Sequence, residues 1–210
     1  MQKPSQLQLL VYRRFLEQFV VFTDEQWEIF CNELQLKKIK KKEFLIEAGK
    51  VCNEVAFILR GAIRYYHVKD GEEITNYFSL ENEMVSAYKS FLTQKPSAAY
   101  IEAIENTQAI IFNKSSLEKL LEDERINMKM ERFGRVVAET VLCCYDDRVT
   151  AFIIQTPEER YVSLLESGSP ILTRIPQHYI ANYLGITPVS LSRIRRRVSK
   201  PNTGLRFAAS

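Results

Sequence analysis

The amino-acid sequence predicts an α+β chain in three successive pieces: an N-terminal antiparallel β-roll of the jelly-roll kind, one long helix, and a C-terminal pair of short helices joined at a glycine. Three observations carry that reading. Over residues 43–112 apolar side chains come in short bursts between turn signals; over about 126–152 they recur at helical spacing; after Ile175 two short helical patterns flank Gly185. At 210 residues and 46% apolar content the chain can bury a sizeable core, as one large domain or two smaller ones.

Residues 7–22 place Leu9, Leu10, Phe15, Leu16, Phe19 and Val20 at helical spacing. Thr23 and Gln26 then form a T-x-x-Q capping box before a second helix over 27–34. The run Lys37, Lys38, Lys40, Lys41, Lys42 reads as a charged strand edge that discourages sheet-to-sheet association. Apolar bursts at 44–46, 55–59, 63–68 and 74–78 are separated by Ala48-Gly49, Gly61 and the hairpin turn Asp70-Gly71. After a less regular stretch over 80–96, residues 100–104 and 108–112 supply two more strands. Short antiparallel strands at this spacing close into a barrel or a double-sheet roll, which holds a small molecule or nothing.

A helix is expected over 113–121 and a longer one over 126–152, where Met130, Val137, Cys144 and Ala151 recur every seven residues with Phe133 and Thr140 between them. That seam is read as the contact of a parallel homodimer, with packing on the roll as the alternative. Adjacent Cys143 and Cys144 are expected to be core thiols, since neighbours on a helix point in different directions. Thr156-Pro157-Glu158-Glu159 is a further capping box, so the long helix ends near Gln155 and another runs to Leu165, before Ser167-Gly168-Ser169-Pro170 breaks it.

Four cysteines without CxxC spacing and two distant histidines, His67 and His178, argue against a zinc or iron–sulfur site and for reduced thiols; no metal and no cofactor is expected. The apolar run at 9–11 meets Arg13 and Arg14 at once, and no run is long enough to cross a bilayer, so the expected location is the cytoplasm, without a membrane partner. A metal-dependent enzyme on the roll would need clustered histidines, and the roll region holds only His67, so the chain is not expected to be an enzyme.

The C-terminal pattern is IPQHYIANYLGITPVSLSRIRRRV. Pro176 suits a helix start, Ile180 and Leu184 share a face, small Ala181 permits close crossing, and Gly185 turns the chain. Thr187 is a good N-cap and Pro188 a good first residue for a second helix, on which Leu191, Ile194 and Val198 form an apolar stripe; Ser190, Ser192, Arg193, Arg196 and Arg197 lie off it. This is a helix-turn-helix, with its second helix aimed at a DNA major groove. Charge separates it from an ordinary helical hairpin. Seven of the 29 basic residues and none of the 26 acidic residues follow Glu166, so the front of the chain is net −4 and the back +7. A solvated face usually mixes signs, whereas a surface that neutralises phosphates need not.

Roll, long helix and C-terminal helix-turn-helix, in that order, resemble the Crp–Fnr superfamily of bacterial transcription regulators, whose sensory domain is a cyclic-nucleotide-binding-like roll. The resemblance rests on the glycine-punctuated strands FILRGAIRYYHVKDGEEITNYF and on the pattern at 177–197. It implies a β-roll sensory domain over 1–125, a long dimerisation helix and linker over 126–155, and a winged-helix-like helix-turn-helix domain over 156–210. The short tail after Val198, with Pro201 and Gly204, leaves the wing of some relatives open. The resemblance also implies double-stranded DNA as a partner, a homodimer on a pseudo-palindromic site, a small-molecule effector and RNA polymerase.

Relatives that bind cyclic AMP use a Gly-Glu pair for the ribose and Arg-Ser or Arg-Thr for the cyclic phosphate. Here Ser86-Ala87 and Ser97-Ala98 stand at those places, so the phosphate lacks its charged bidentate partner and cyclic AMP is not the expected effector. Cys31 and Cys52 do not form the cysteine cluster of the oxygen-sensing branch, and His67 alone is a poor haem ligand. Of the family's Arg-Glu-x-x-x-Arg after the turn only Arg193 is kept, opposite Pro188 and Val189. Arg193 is expected to contact a guanine, with Val189 and Ser190 on neighbouring base edges; Gln177, His178, Thr187, Ser192, Arg196 and Arg197 are expected on the phosphate backbone. Arg195 is expected to face solvent or the dimer partner. The alternative reading is a β-roll protein-interaction module without specific DNA reading.

Overall fold

A computed structural model describes residues 2–199. Among these the chain gathers into two compact units that divide between Asp146 and Asp147. The first opens with helices α1 (Gln6–Leu16) and α2 (Asp24–Asn32). Strands β1 (Gln35–Ile39), β2 (Phe44–Ile46), β3 (Glu54–Arg60), β4 (Ile63–Lys69), β5 (Glu72–Ser79) and β6 (Met84–Val85) follow, then the short helix α3 (Tyr88–Thr93), strands β7 (Tyr100–Ala103) and β8 (Thr107–Asn113), and helices α4 (Lys114–Glu122) and α5 (Asn127–Ile154). The strands form two four-stranded antiparallel sheets, β1-β8-β3-β6 and β2-β7-β4-β5, the expected roll.

Local chemistry fixes the connections. Asp70 and Gly71 both hold positive φ, 54° and 81°, as a two-residue type I′ hairpin requires between β4 and β5. At Gly61 a Cβ would fall 2.4 Å from Thr107 Oγ1, so the β3–β4 corner admits no side chain. β1 is the edge of its sheet and carries Lys37 and Lys38, consistent with a charged edge.

Helices cover the first sheet with aromatic side chains. The ring of Tyr12 lies 4.7 Å from that of Phe57 on β3, Phe15 also lies 4.7 Å from Phe57, Phe30 of α2 reaches Phe112 of β8, and Phe19 reaches Phe133 of α5. Burial on both faces is why 55–59 reads as an unbroken apolar burst rather than an alternation. In the second sheet Arg64 is 1% exposed; it donates to Glu73 (2.6 Å) and Glu102 (2.9 Å) and stacks on the ring of Tyr66.

Several expectations need correction. α1 stops at Leu16, yet Val20 and Phe22 remain buried, because turn residues beyond a helix end can fill the same core. The stretch 80–96 contains β6 and α3. The seven-residue seam divides: Met130 and Phe133 are buried in the core of the first unit and Val137 packs against it, whereas Thr140 and Cys144 are exposed. Periodicity marks a face but not what covers it. Cys143 and Cys144 are both exposed rather than core thiols, since that part of α5 lies beyond the residues it packs on within its unit.

The second unit holds the end of α5 and helices α6 (Pro157–Glu166), α7 (Ile171–Arg174), α8 (Gln177–Tyr183) and α9 (Pro188–Val198). Thr156 and Glu159 form the expected capping box of α6. The single turn α7 has no counterpart in the sequence reading. The tail that bears on the wing lies outside the described residues. Among the described residues no helix is long and apolar enough to cross a membrane.

Candidate nucleic-acid interface

α8 and α9 are short, so their ends decide their geometry. Ile180, Ala181 and Leu184 are buried at 1%, 0% and 1%, which seats α8. Gly185 takes φ +73° and closes a Schellman turn: its N–H donates to Asn182 O (3.0 Å) and the Ile186 N–H to Ala181 O (2.9 Å). Thr187 then caps α9, its Oγ1 accepting from the Ser190 N–H at 3.2 Å, with Pro188 at the first helical position. Leu191 and Ile194 are buried and Val198 is half-buried, as the stripe predicts.

The opposite face of α9 is open. Val189, Ser192, Arg193 and Arg196 are all exposed and share the face at helical spacing. Thr187 is exposed at the cap, and Ser190 is half-buried with its Oγ 3.0 Å from Thr187 Oγ1. Gln177 and His178 are exposed in the first turn of α8. Arg197 is exposed but ion-paired with Glu158 of α6, a partner the sequence reading did not identify. Arg195 is half-buried and borders a small cavity with Tyr161, Leu172 and Leu191. The sequence reading also missed Arg148, Phe152 and Arg160. Their only signal was position, on helices flanking the motif rather than within it.

In the roll, Ser86 and Ser97, compared above with the nucleotide-gripping pairs of the resembled family, are engaged with their own chain. Ser86 Oγ donates to Glu54 O at 3.0 Å and lies 3.5 Å from Cys52 Sγ. Ser97 Oγ donates to Ala99 O and accepts from the Ala99 N–H. Glu83 accepts hydrogen bonds from Ser79 and from the Leu80 N–H, yet burial pushes its carboxyl above the ordinary range. The phenol of Tyr65 lies 3.4 Å from Ser79 Oγ, and its burial raises its pKa. His67 Nδ1 lies 3.0 Å from Ala98 O. Among the described residues no group of three or more histidine, cysteine or acidic side chains could hold a metal ion.

Residues 36–124 match the cyclic nucleotide-binding domain family. No curated protein matches the chain. Among solved structures, a protein from Eubacterium rectale described as a transcriptional regulator of the crp/fnr family is 20% identical, with a TM-score of 0.61 over 84% of this chain and 83% of that one. FixK2 of Bradyrhizobium japonicum is 20% identical, with a TM-score of 0.61 over 79% of this chain and 84% of that one. The c-di-GMP-responsive global regulator CLP of Xanthomonas campestris is 12% identical, with a TM-score of 0.63 over 84% and 91%. The fold is therefore a cyclic-nucleotide-binding roll joined to C-terminal helices. In the order of these parts the chain is similar to the Eubacterium rectale protein and to FixK2.

Proposed function

We propose that the chain is a cytoplasmic, homodimeric transcription regulator that reads a pseudo-palindromic DNA site. The observation that supports this most is the open face of α9, where Val189, Ser192, Arg193 and Arg196 stand opposite buried Leu191 and Ile194 with no acidic residue after Glu166. In this reading Arg193 donates both its terminal nitrogens to a guanine edge, Val189 and Ser190 touch neighbouring base edges, and Gln177, His178, Thr187, Ser192, Arg196 and Arg197 meet phosphates. Exposed Leu142, Tyr145 and Val149 on α5 supply the apolar contact for a second copy. Two-fold symmetry then sets the recognition helices about 34 Å apart, one DNA turn. RNA polymerase is the further partner of such a regulator.

Cyclic AMP is not the effector in this reading, because Ser86 and Ser97 are bonded to their own backbone and the sequence holds no arginine between Arg64 and Arg125 to serve as the phosphate partner. The test is selection from a random duplex library by purified protein, first without ligand and then with cyclic AMP. An inverted repeat enriched without ligand supports a regulator that needs no nucleotide. Enrichment only with cyclic AMP overturns the reading of the roll, and no enrichment favours a protein-interaction module.

A further inference from the structure

Every carbonyl at the C-terminal end of α8 can be assigned a partner. The Leu184 N–H takes Ile180 O, and the Schellman turn takes Ala181 O and Asn182 O. The last two are taken by side chains from outside the motif. Arg148 of α5 donates Nη2 to Tyr183 O at 2.5 Å, and Arg160 of α6 donates Nη2 to Leu184 O at 2.9 Å and Nη1 to Gln155 O at 2.6 Å.

The same guanidiniums stack on aromatic rings. Arg148 lies 3.6 Å from the Tyr183 ring centre and 4.5 Å from that of Phe152, and Arg160 lies 4.4 Å from that of Phe152. Phe152 in turn closes on the bare Cα of Gly185, where a Cβ would fall 3.2 Å from its ring. A planar guanidinium can stack and donate in its plane at once; an ammonium cannot do both with the same geometry.

We propose that Arg148 and Arg160 are positioning residues for DNA reading: they fix the α8–α9 turn to the last two turns of α5 and so set the angle at which α9 enters the groove. This rests on the DNA-reading function proposed above. Neither arginine has to touch DNA. The end of α5 is then part of the reading unit, and a motion of that end is delivered to the recognition helix without slack.

The test uses the full chain with Arg160→Lys, Arg148→Lys and both together. Two readouts are taken: affinity for the selected duplex and for a random duplex across a salt series, and amide exchange at Gly185 and Ile186. Arg160→Lys should weaken the selected duplex about tenfold while changing the random duplex less than about twofold, with the salt slope unchanged because no phosphate contact is lost. Exchange at Ile186 should rise about tenfold, as the turn opens locally. Equal losses on both duplexes with a slope lower by about one would mean direct phosphate contact and would overturn the proposal. So would unchanged exchange in the double variant. If Arg160→Lys does not fold, Arg148→Lys carries both readouts. If the native protein enriches no duplex, the DNA reading fails, and exchange alone decides whether the clamp exists.

Discussion

Arg197 in the last turn of α9 is ion-paired with Glu158 in the first turn of α6, 39 positions earlier in the chain. In the proposed DNA-bound state this cation must first leave its carboxylate. Glu158→Gln should release it, raising affinity for selected and random duplexes alike by about two- to fivefold and steepening the salt slope by about 0.9, the increment for one phosphate contact. Arg197→Ala should lower both affinities about equally. A salt titration of the two variants reads this directly, and unchanged slopes would show that the pair does not compete with DNA.

Arg193 differs in kind, since it is exposed on the open face of α9 with Val189 and Arg196 beside it. Arg193→Ala should cost about 1–3 kcal/mol on the selected duplex and relax preference at one base pair per half-site. Competition between the selected duplex and its single-base variants would show it.

Gly185→Ala places an L side chain at φ +73° and a methyl 3.2 Å from Phe152. The left-handed backbone alone costs about 1–2 kcal/mol, so the second unit should melt at lower temperature. Calorimetry should show the loss confined to one transition if the two units unfold separately.

Arg64→Met would leave Glu102, whose side chain is 11% exposed, without its cation. Stranding one member of a buried ion pair typically costs about 3–5 kcal/mol. Chemical denaturation should therefore show a strong loss, and the double change Arg64→Met with Glu102→Gln should recover part of it.

Glu83 has a pH signature. Burial raises its carboxyl in the folded chain, so the folded form keeps its proton to higher pH than the unfolded one. Its contribution is favourable at acid pH and is lost as pH rises through the ordinary carboxylate range towards the raised folded value. Glu83→Gln should be more stable than the native protein at neutral pH, and the difference should vanish in acid. Melting curves across that range would decide it, and a Gln variant less stable at neutral pH would refute the assignment.

The β-roll and the helix-turn-helix were legible because their signals are local: turn residues at Gly61 and Asp70-Gly71, caps at Thr23, Thr156 and Thr187, and the stripe Leu191 and Ile194. What escaped was the side-chain bond between distant positions. Nothing near Arg197 announces Glu158, and nothing near Gly185 announces Arg148 or Arg160, because a cation can reach a carbonyl tens of residues away once the fold has brought them together. The fate of α5 escaped for another reason. One apolar repeat serves equally well against a sheet or a second helix, so Met130 and Phe133 went to the roll although the repeat runs on past them.

The family match begins at residue 36, just beyond α1 and α2. Cut at that boundary, the roll would present Phe57 and Phe112 to water, stripped of Tyr12, Phe15 and Phe30. Such a fragment would be sticky rather than soluble, its bare aromatic wall seeking any neighbour. The matched stretch is therefore smaller than the packed unit, and α1 and α2 work as the outer wall of the roll.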